Sequence, residues 1–179
     1  MDMEDVSCTD KEIELFMRLR GDHSNIGIAL QAYLTRTYED IETLASGPGM
    51  VRICKGIYAV DKQYLVHDAW RDRTAINQHF LHHVAHCFDS GMFVGVATHD
   101  AELIGKVVAL ARDRRIDSAR FEFQMLLGVC EPLRDKVLEL GFRVRVYVPF
   151  GKDWYGYSTR RLNESPSIAG HVANALVGF

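Results

Sequence analysis

The feature that most constrains this chain is a steady alternation of short apolar runs with segments of helical period. The runs are Ile26–Tyr33, Met50–Tyr58, Met92–Thr98, Phe121–Leu127 and Arg143–Pro149. Between them, apolar residues recur three and four apart. Ile13, Phe16 and Met17, widened by Leu15 and Leu19, mark an early helix, and Leu103, Val107, Val108 and Leu110 mark a later one. Strands separated by helices pair in parallel, so the pattern predicts an α/β architecture. Thr9-Asp10-Lys11-Glu12 reads as a capping box at the first helix. Gly21, Gly91 and Gly141 stand where a left-handed helix end wants glycine.

Each run carries a polar residue near its C-terminal end: Gln31, Lys55, Thr98 with His99, Gln124 and Tyr147. Polar side chains gathered at strand C-termini are what the mouth of a βα-barrel requires. An open doubly wound sheet is the rival reading, weakened because the chain has neither G-x-G-x-x-G nor G-x-x-x-x-G-K-[ST] to cradle phosphates. The five runs follow residue 25, and Met1-Asp2-Met3 supplies the stub of a further strand. A complete (β/α)8 barrel usually takes about 250 residues. At 179 residues the expectation is therefore either an open sheet or part of a barrel, in a single domain spanning 1–179.

Composition removes several classes. With 21 Lys+Arg against 24 Asp+Glu the net charge is −3, which provides no global field for nucleic acid or an anionic membrane. The four cysteines, at 8, 54, 87 and 130, form neither a CxxC pair nor a disulfide framework. No apolar run reaches about 18 residues, and MDMEDVSCTD is acidic where a signal peptide is basic. A soluble, reduced, cytoplasmic protein is expected.

Six motifs in order, DMED (2–5), LQAY (30–33), RICKGIY (52–58), ATHD (97–100), FEFQMLLG (121–128) and RVRVYVPFGKDWYGYSTRRLNE (143–164), resemble the flavin-dependent proline dehydrogenase family over nearly the whole chain. The last is the most specific, since it joins a Tyr-bearing strand to adjacent arginines at a fixed distance. The resemblance implies a partial TIM-like (β/α)8 barrel comprising the end of strand three and strands four to eight. FAD would sit at its C-terminal mouth, and L-proline would be oxidised to 1-pyrroline-5-carboxylate. It implies a quinone or other electron acceptor, with transient association at the inner membrane. The family's first two strands, and a lysine near the end of the second, have no counterpart in these residues. An N-terminally truncated barrel, inactive or regulatory alone and prone to self-association through open sheet edges at Asp2 and at Arg143–Pro149, is accordingly the alternative expectation.

The resemblance also assigns residues. Arg160 and Arg161 would hold the proline carboxylate, a pairing that suits two forked guanidinium groups. Tyr157, three and four positions earlier, would share their helical face. Tyr147 and Leu126 would wall the proline ring, and Asp2 matches an active-site carboxylate. Taken alone, an RR pair is ordinarily a solvated pair and a strand Leu or Tyr is ordinarily core. Arg52 is the cation expected near flavin N5, followed by Lys55 and by Gly56, which would let the backbone approach the cofactor. Gln31 and Gln124 would meet the pyrimidine edge from opposite sides of the mouth. Thr98 and His99 would reach the ribityl–pyrophosphate portion, and Glu164 would accept from a ribityl hydroxyl or brace an arginine.

One cluster remains outside this scheme. His79, His82, His83 and His86 form HxxHHxxH, and 79, 83 and 86 share a helical face that could bind Zn²⁺ or Ni²⁺. No carboxylate completes an H-E-x-x-H pattern, so a solvated helix face is the expectation and no metal is assigned.

Overall fold

The computed structural model describes residues 1–2, 6–56, 58, 60–67 and 69–152. Tyr157, Arg160, Arg161 and Glu164 lie outside the described residues. The elements alternate as expected: α1 (Thr9–Leu19), β1 (Gly27–Gln31), α2 (Thr37–Leu44), β2 (Met50–Cys54), α3 (Ile76–Asp89), β3 (Phe93–Ala97), α4 (Ala101–Asp113), β4 (Phe121–Leu126), α5 (Glu131–Glu139) and β5 (Val144–Tyr147). Among the described residues the strands form one sheet, wholly parallel, in the order β1-β2-β3-β4-β5. Spatial order equals chain order, so the strand sequence never reverses. A doubly wound sheet needs such a reversal at its ligand crevice; this topology is the singly wound one of a barrel wall. The doubly wound rival is thereby excluded.

Register explains how one sequence serves two faces. Side chains alternate along a strand, so Ile28, Val51, Val94 and Phe121 fall in one row, and Leu30, Ile53, Val96 and Phe123 in the next. These rows are nearly solvent-free and share one apolar core with Phe16 of α1, Ile41 and Leu44 of α2, Phe80 and Val84 of α3, Leu103 and Val107 of α4, and Val137 of α5. The intervening positions form the other face. There Ala29, Arg52, Gly95 and Glu122 make one row, and Gln31, Cys54, Ala97, Gln124 and Arg145 the row nearer the C-terminal edge. Leu126 and Tyr147 pair beyond them.

Several local expectations need correction. Helix α1 starts at Thr9, but it runs on from a 3₁₀ turn at Val6–Cys8, and Cys8 occupies the cap position without a side-chain bond. Thr9 is thus inside the helix and buried, which removes the capping box. Gly91 and Gly141 adopt φ of 76° and 85° after α3 and α5, as a left-handed helix end requires, whereas Gly21 has no positive φ. Leu15 is 38% exposed and does not widen the buried stripe of α1. The stub at the N-terminus does line up as a strand would. Ala29 N–H donates to the Met1 carbonyl at 3.0 Å and the Met1 amine donates to the Gly27 carbonyl at 2.5 Å, the two bonds of a parallel bridge beside β1.

The histidine cluster is only partly a solvated face: His82 is exposed and His79 and His86 are half-buried. His83 is 0% exposed. Tyr38 of α2 packs on its ring at 4.4 Å between centroids and accepts or donates a 2.6 Å hydrogen bond with His79 Nδ1. Neither ring nitrogen of His83 has a hydrogen-bond partner among the described residues. Burial, with smaller contributions from His82, His79 and His86, pushes its pKa down to about 3, so the ring is neutral at ordinary pH.

Candidate functional site

All strands being parallel, every strand C-terminus reaches the same edge of the sheet, and the polar residues singled out in the sequence collect there. Gln31 ends β1 and is buried; Lys55 follows β2, Thr98 and His99 follow β3, and Gln124 and Leu126 lie in the last half of β4. Tyr147 ends β5 with 48% of its surface exposed. Gln31, Arg52, Gln124, Leu126 and Tyr147 share the face opposite the apolar core, because each occupies the same parity in the register.

Two assigned residues meet directly. Arg52 Nη2 donates to Asp2 Oδ1, joining the N-terminal stub to the middle of β2 across β1. The carboxylate and the cation expected at the active site are therefore partners, with Arg52 the more buried of the two. The small side chains at 29, 95 and 97 leave a low floor between the arginine and the two glutamines.

Lys55, Thr98 and His99 are organised by their own contacts. Lys55 Nζ donates to Asp100 Oδ2 at 2.8 Å, which Asn77 Nδ2 also approaches at 3.3 Å, while Asp100 Oδ1 accepts from Leu103 N–H at 3.0 Å and caps α4. Thr98 Oγ1 accepts from Asp100 N–H at 3.1 Å. Burial pushes Asp100 upward, but the Lys55 hydrogen bond, the Leu103 amide and Asn77 outweigh it and hold the carboxyl below its usual range. His99 Nε2 accepts from Leu126 N–H at 2.9 Å, so that nitrogen carries no proton and the ring ties the β3 end to the β4 end.

Asp100→Ala should cost about 1 kcal/mol through loss of the cap. A carboxyl held down in the folded state stabilises above its unfolded pKa, and that contribution fades as pH falls through the folded value. The difference in urea midpoint between wild type and variant should accordingly be full at pH 7 and shrink on acidification below pH 4. Equal midpoints at pH 7 would remove Asp100 from this role.

The structure gives Gly56 a requirement of its own. It adopts φ of 99°, and a Cβ there would stand 2.3 Å from the Tyr33 ring. The glycine is required by that aromatic neighbour, itself seated by a Tyr33 hydroxyl bond to the Tyr58 carbonyl at 3.2 Å. Glu122 and Arg145 were missed. Glu122, 6% exposed, accepts from Gln124 Nε2 at 2.8 Å and from Arg145 Nη2 at 3.2 Å and Nε. This carboxylate holds the Arg145 pKa above its ordinary value. The signal was available: in FEFQML, period two puts Glu122 on the same face as Gln124 and Leu126.

A sequentially wound parallel sheet, helices on one face and an arginine-bearing polar floor at the strand C-termini on the other, defines the class as a βα-barrel-like enzyme wall. The proline dehydrogenase family profile matches residues 1–174. Proline dehydrogenase 2 of Bacillus subtilis is 34% identical over 179 residues, covering 100% of this chain and 57% of the relative. Proline dehydrogenase of Deinococcus radiodurans is also 34% identical, over 99% of this chain and 56% of its own length. The crystal structure of proline utilization A from Bdellovibrio bacteriovorus, inactivated by N-propargylglycine, superposes with a TM-score of 0.78 at 26% identity, over 92% of this chain and 20% of that one. The chain belongs to the proline dehydrogenase family and spans rather more than half the length of its curated relatives.

Proposed function

We propose that this chain forms strands four to eight, with the end of strand three, of an FAD-dependent proline dehydrogenase. It would oxidise L-proline to 1-pyrroline-5-carboxylate and pass electrons to a quinone-type acceptor. The observation that carries the reading is the shared face: in a chain of this family, Gln31, Arg52, Gln124, Leu126 and Tyr147 stand on one face of the sheet, Arg52 mid-strand and the others toward the C-terminal edge. A planar heterocycle would lie against Ala29, Gly95 and Ala97, whose side chains project little, with the two amides and the guanidinium on the same face of the sheet. The flavin would supply a two-electron acceptor for the hydride leaving the proline carbon.

The residues divide the remaining work. Arg52 holds positive charge where electron density gathers on reduction, and Asp2 fixes the direction of that guanidinium. Leu126 and Tyr147, adjacent in register, offer an apolar wall to the pyrrolidine ring. Tyr157, Arg160 and Arg161 clamp the carboxylate, so that the reacting C–H is held rather than found by diffusion. Glu164 braces this group. Transient docking at the inner membrane would bring the acceptor; among the described residues no helix is long and apolar enough to cross a membrane.

The test is a flavin spectrum and a proline-dependent dye-reduction assay on the purified protein. Bound flavin with proline-dependent reduction supports the reading, and a protein that stays colourless and proline-inert after FAD reconstitution, even with a segment carrying the first barrel strands supplied in cis or in trans, overturns it. Arg52→Ala should lower flavin retention or make the bound flavin harder to reduce, with the circular-dichroism spectrum unchanged. Equal flavin stoichiometry together with an equal reduction potential would take Arg52 out of the site.

A further inference from the structure

We propose that Glu122 is a positioning residue that dictates which end of the Gln124 amide faces the ligand, and that the site thereby selects a ring presenting an N–H donor. Glu122 is a nearly buried carboxylate in the middle of the polar floor. It cannot donate, so the group it receives from Gln124 must be the NH2, at 2.8 Å. With that end committed, Gln124 offers its carbonyl Oε1 to whatever lies on the floor. Without Glu122 the amide could present either end, since the two are nearly equal in shape.

Two neighbours make the arrangement specific. Arg145 from β5 forks onto both oxygens of Glu122, which holds the carboxylate in place and balances its charge. Gly95 lies beside Glu122 in register, and a Cβ there would stand 2.5 Å from Gln124 Nε2. Bare backbone at 95 is what lets the Gln124 amide lie down toward Glu122. The unit therefore spans three strands: a gap on β3, a carboxylate and an amide on β4, and a clamp on β5.

The choice of ligand chemistry rests on the flavin reading above. The pyrimidine edge of an isoalloxazine carries one imide N–H between two carbonyls, so an outward amide oxygen recognises the N–H while an outward NH2 would recognise a carbonyl. Glu122 commits the site to the first.

FAD and FAD methylated at N3 are titrated into the apo-protein by flavin fluorescence. The wild type should prefer FAD by about tenfold, the worth of one hydrogen bond. Glu122→Gln should bring the ratio close to one. So should Gly95→Ala, which pushes the amide aside while leaving the Glu122–Arg145 pair intact. Glu122→Asp should restore part of the preference. A ratio that stays unchanged in both variants, or a wild type indifferent to the methyl group, overturns the proposal. The Gln124 side-chain NH2 resonances, recorded by ¹⁵N NMR without ligand, supply an independent readout. A downfield proton that moves on Glu122→Gln supports the positioning role, and unmoved resonances refute it. Absence of any FAD binding together with a moved resonance would refute the flavin reading alone.

Discussion

In a complete version of the proposed enzyme, carrying all the barrel strands, Arg160→Met and Arg161→Met should each raise the Michaelis constant for proline at least about 30-fold, because leaving a desolvated carboxylate without its charged partner costs roughly 2–5 kcal/mol. The loss should fall chiefly on KM if each arginine grips ground state and transition state alike, and on kcat as well if the clamp also aligns the reacting C–H. Arg→Lys at either position should recover only part of the loss, since an ammonium keeps the charge but not the fork. Dye-linked assays over a range of proline concentrations measure both constants. Unchanged KM in both methionine variants would end the assignment of these arginines to the carboxylate.

His83→Leu should make the protein markedly less sensitive to acid. His83 sits wholly buried beneath Tyr38, with both nitrogens unpartnered among the described residues and its pKa depressed to about 3. The sign follows from linkage. Below about pH 6.5 the unfolded chain takes up a proton that the folded chain refuses, so stability falls as pH falls, by up to about 1.4 kcal/mol per pH unit, until the folded ring itself titrates. At pH 5 the wild type should have lost about 2 kcal/mol from this one side chain, and the leucine variant none of it. Urea midpoints at pH 7 and pH 5 for both proteins make the comparison. Parallel losses in the two would place the acid sensitivity elsewhere.

What could be read from the sequence and what could not divide along physical lines. The strands were legible because Phe121-Glu-Phe-Gln-Met-Leu and its counterparts are short, rich in β-formers and bounded by helical period, and their polar ends marked the working edge. Winding order was not legible in the residue pattern itself, since which strand neighbours which depends on contacts between segments; it came from the family resemblance, which implied consecutive barrel strands. The capping box failed because Thr9 was claimed by a preceding 3₁₀ turn and by burial, a tertiary demand that local chemistry does not reveal. Gly56 stood out in the sequence, but its positive φ and its contact with Tyr33 were hidden there, because they depend on how two loops stack. His83 and its companions looked polar and therefore solvated, yet Tyr38 of α2 packs against three of the four and His83 is wholly buried. Glu122 and Arg145 are the clearest omission. Each was one register step from residues already singled out, and only the pairing of β4 with β5 makes them a pair.

The order of the strands also bears on how such a chain comes to be built. Each strand adds to the one made just before it, after connections that run from Gln31 to Met50, Cys54 to Phe93, Ala97 to Phe121 and Leu126 to Val144. No strand waits for a distant partner, so the entropy of closing long loops is met in small instalments. A ribosome delivering the chain from its N-terminus would release units already able to dock on their predecessor, and each new strand would cover the hydrogen-bonding edge left by the last. Growth by accretion keeps only the most recent strand's edge unpaired on the growing side, which shortens the time during which a nascent sheet can join the wrong neighbour there.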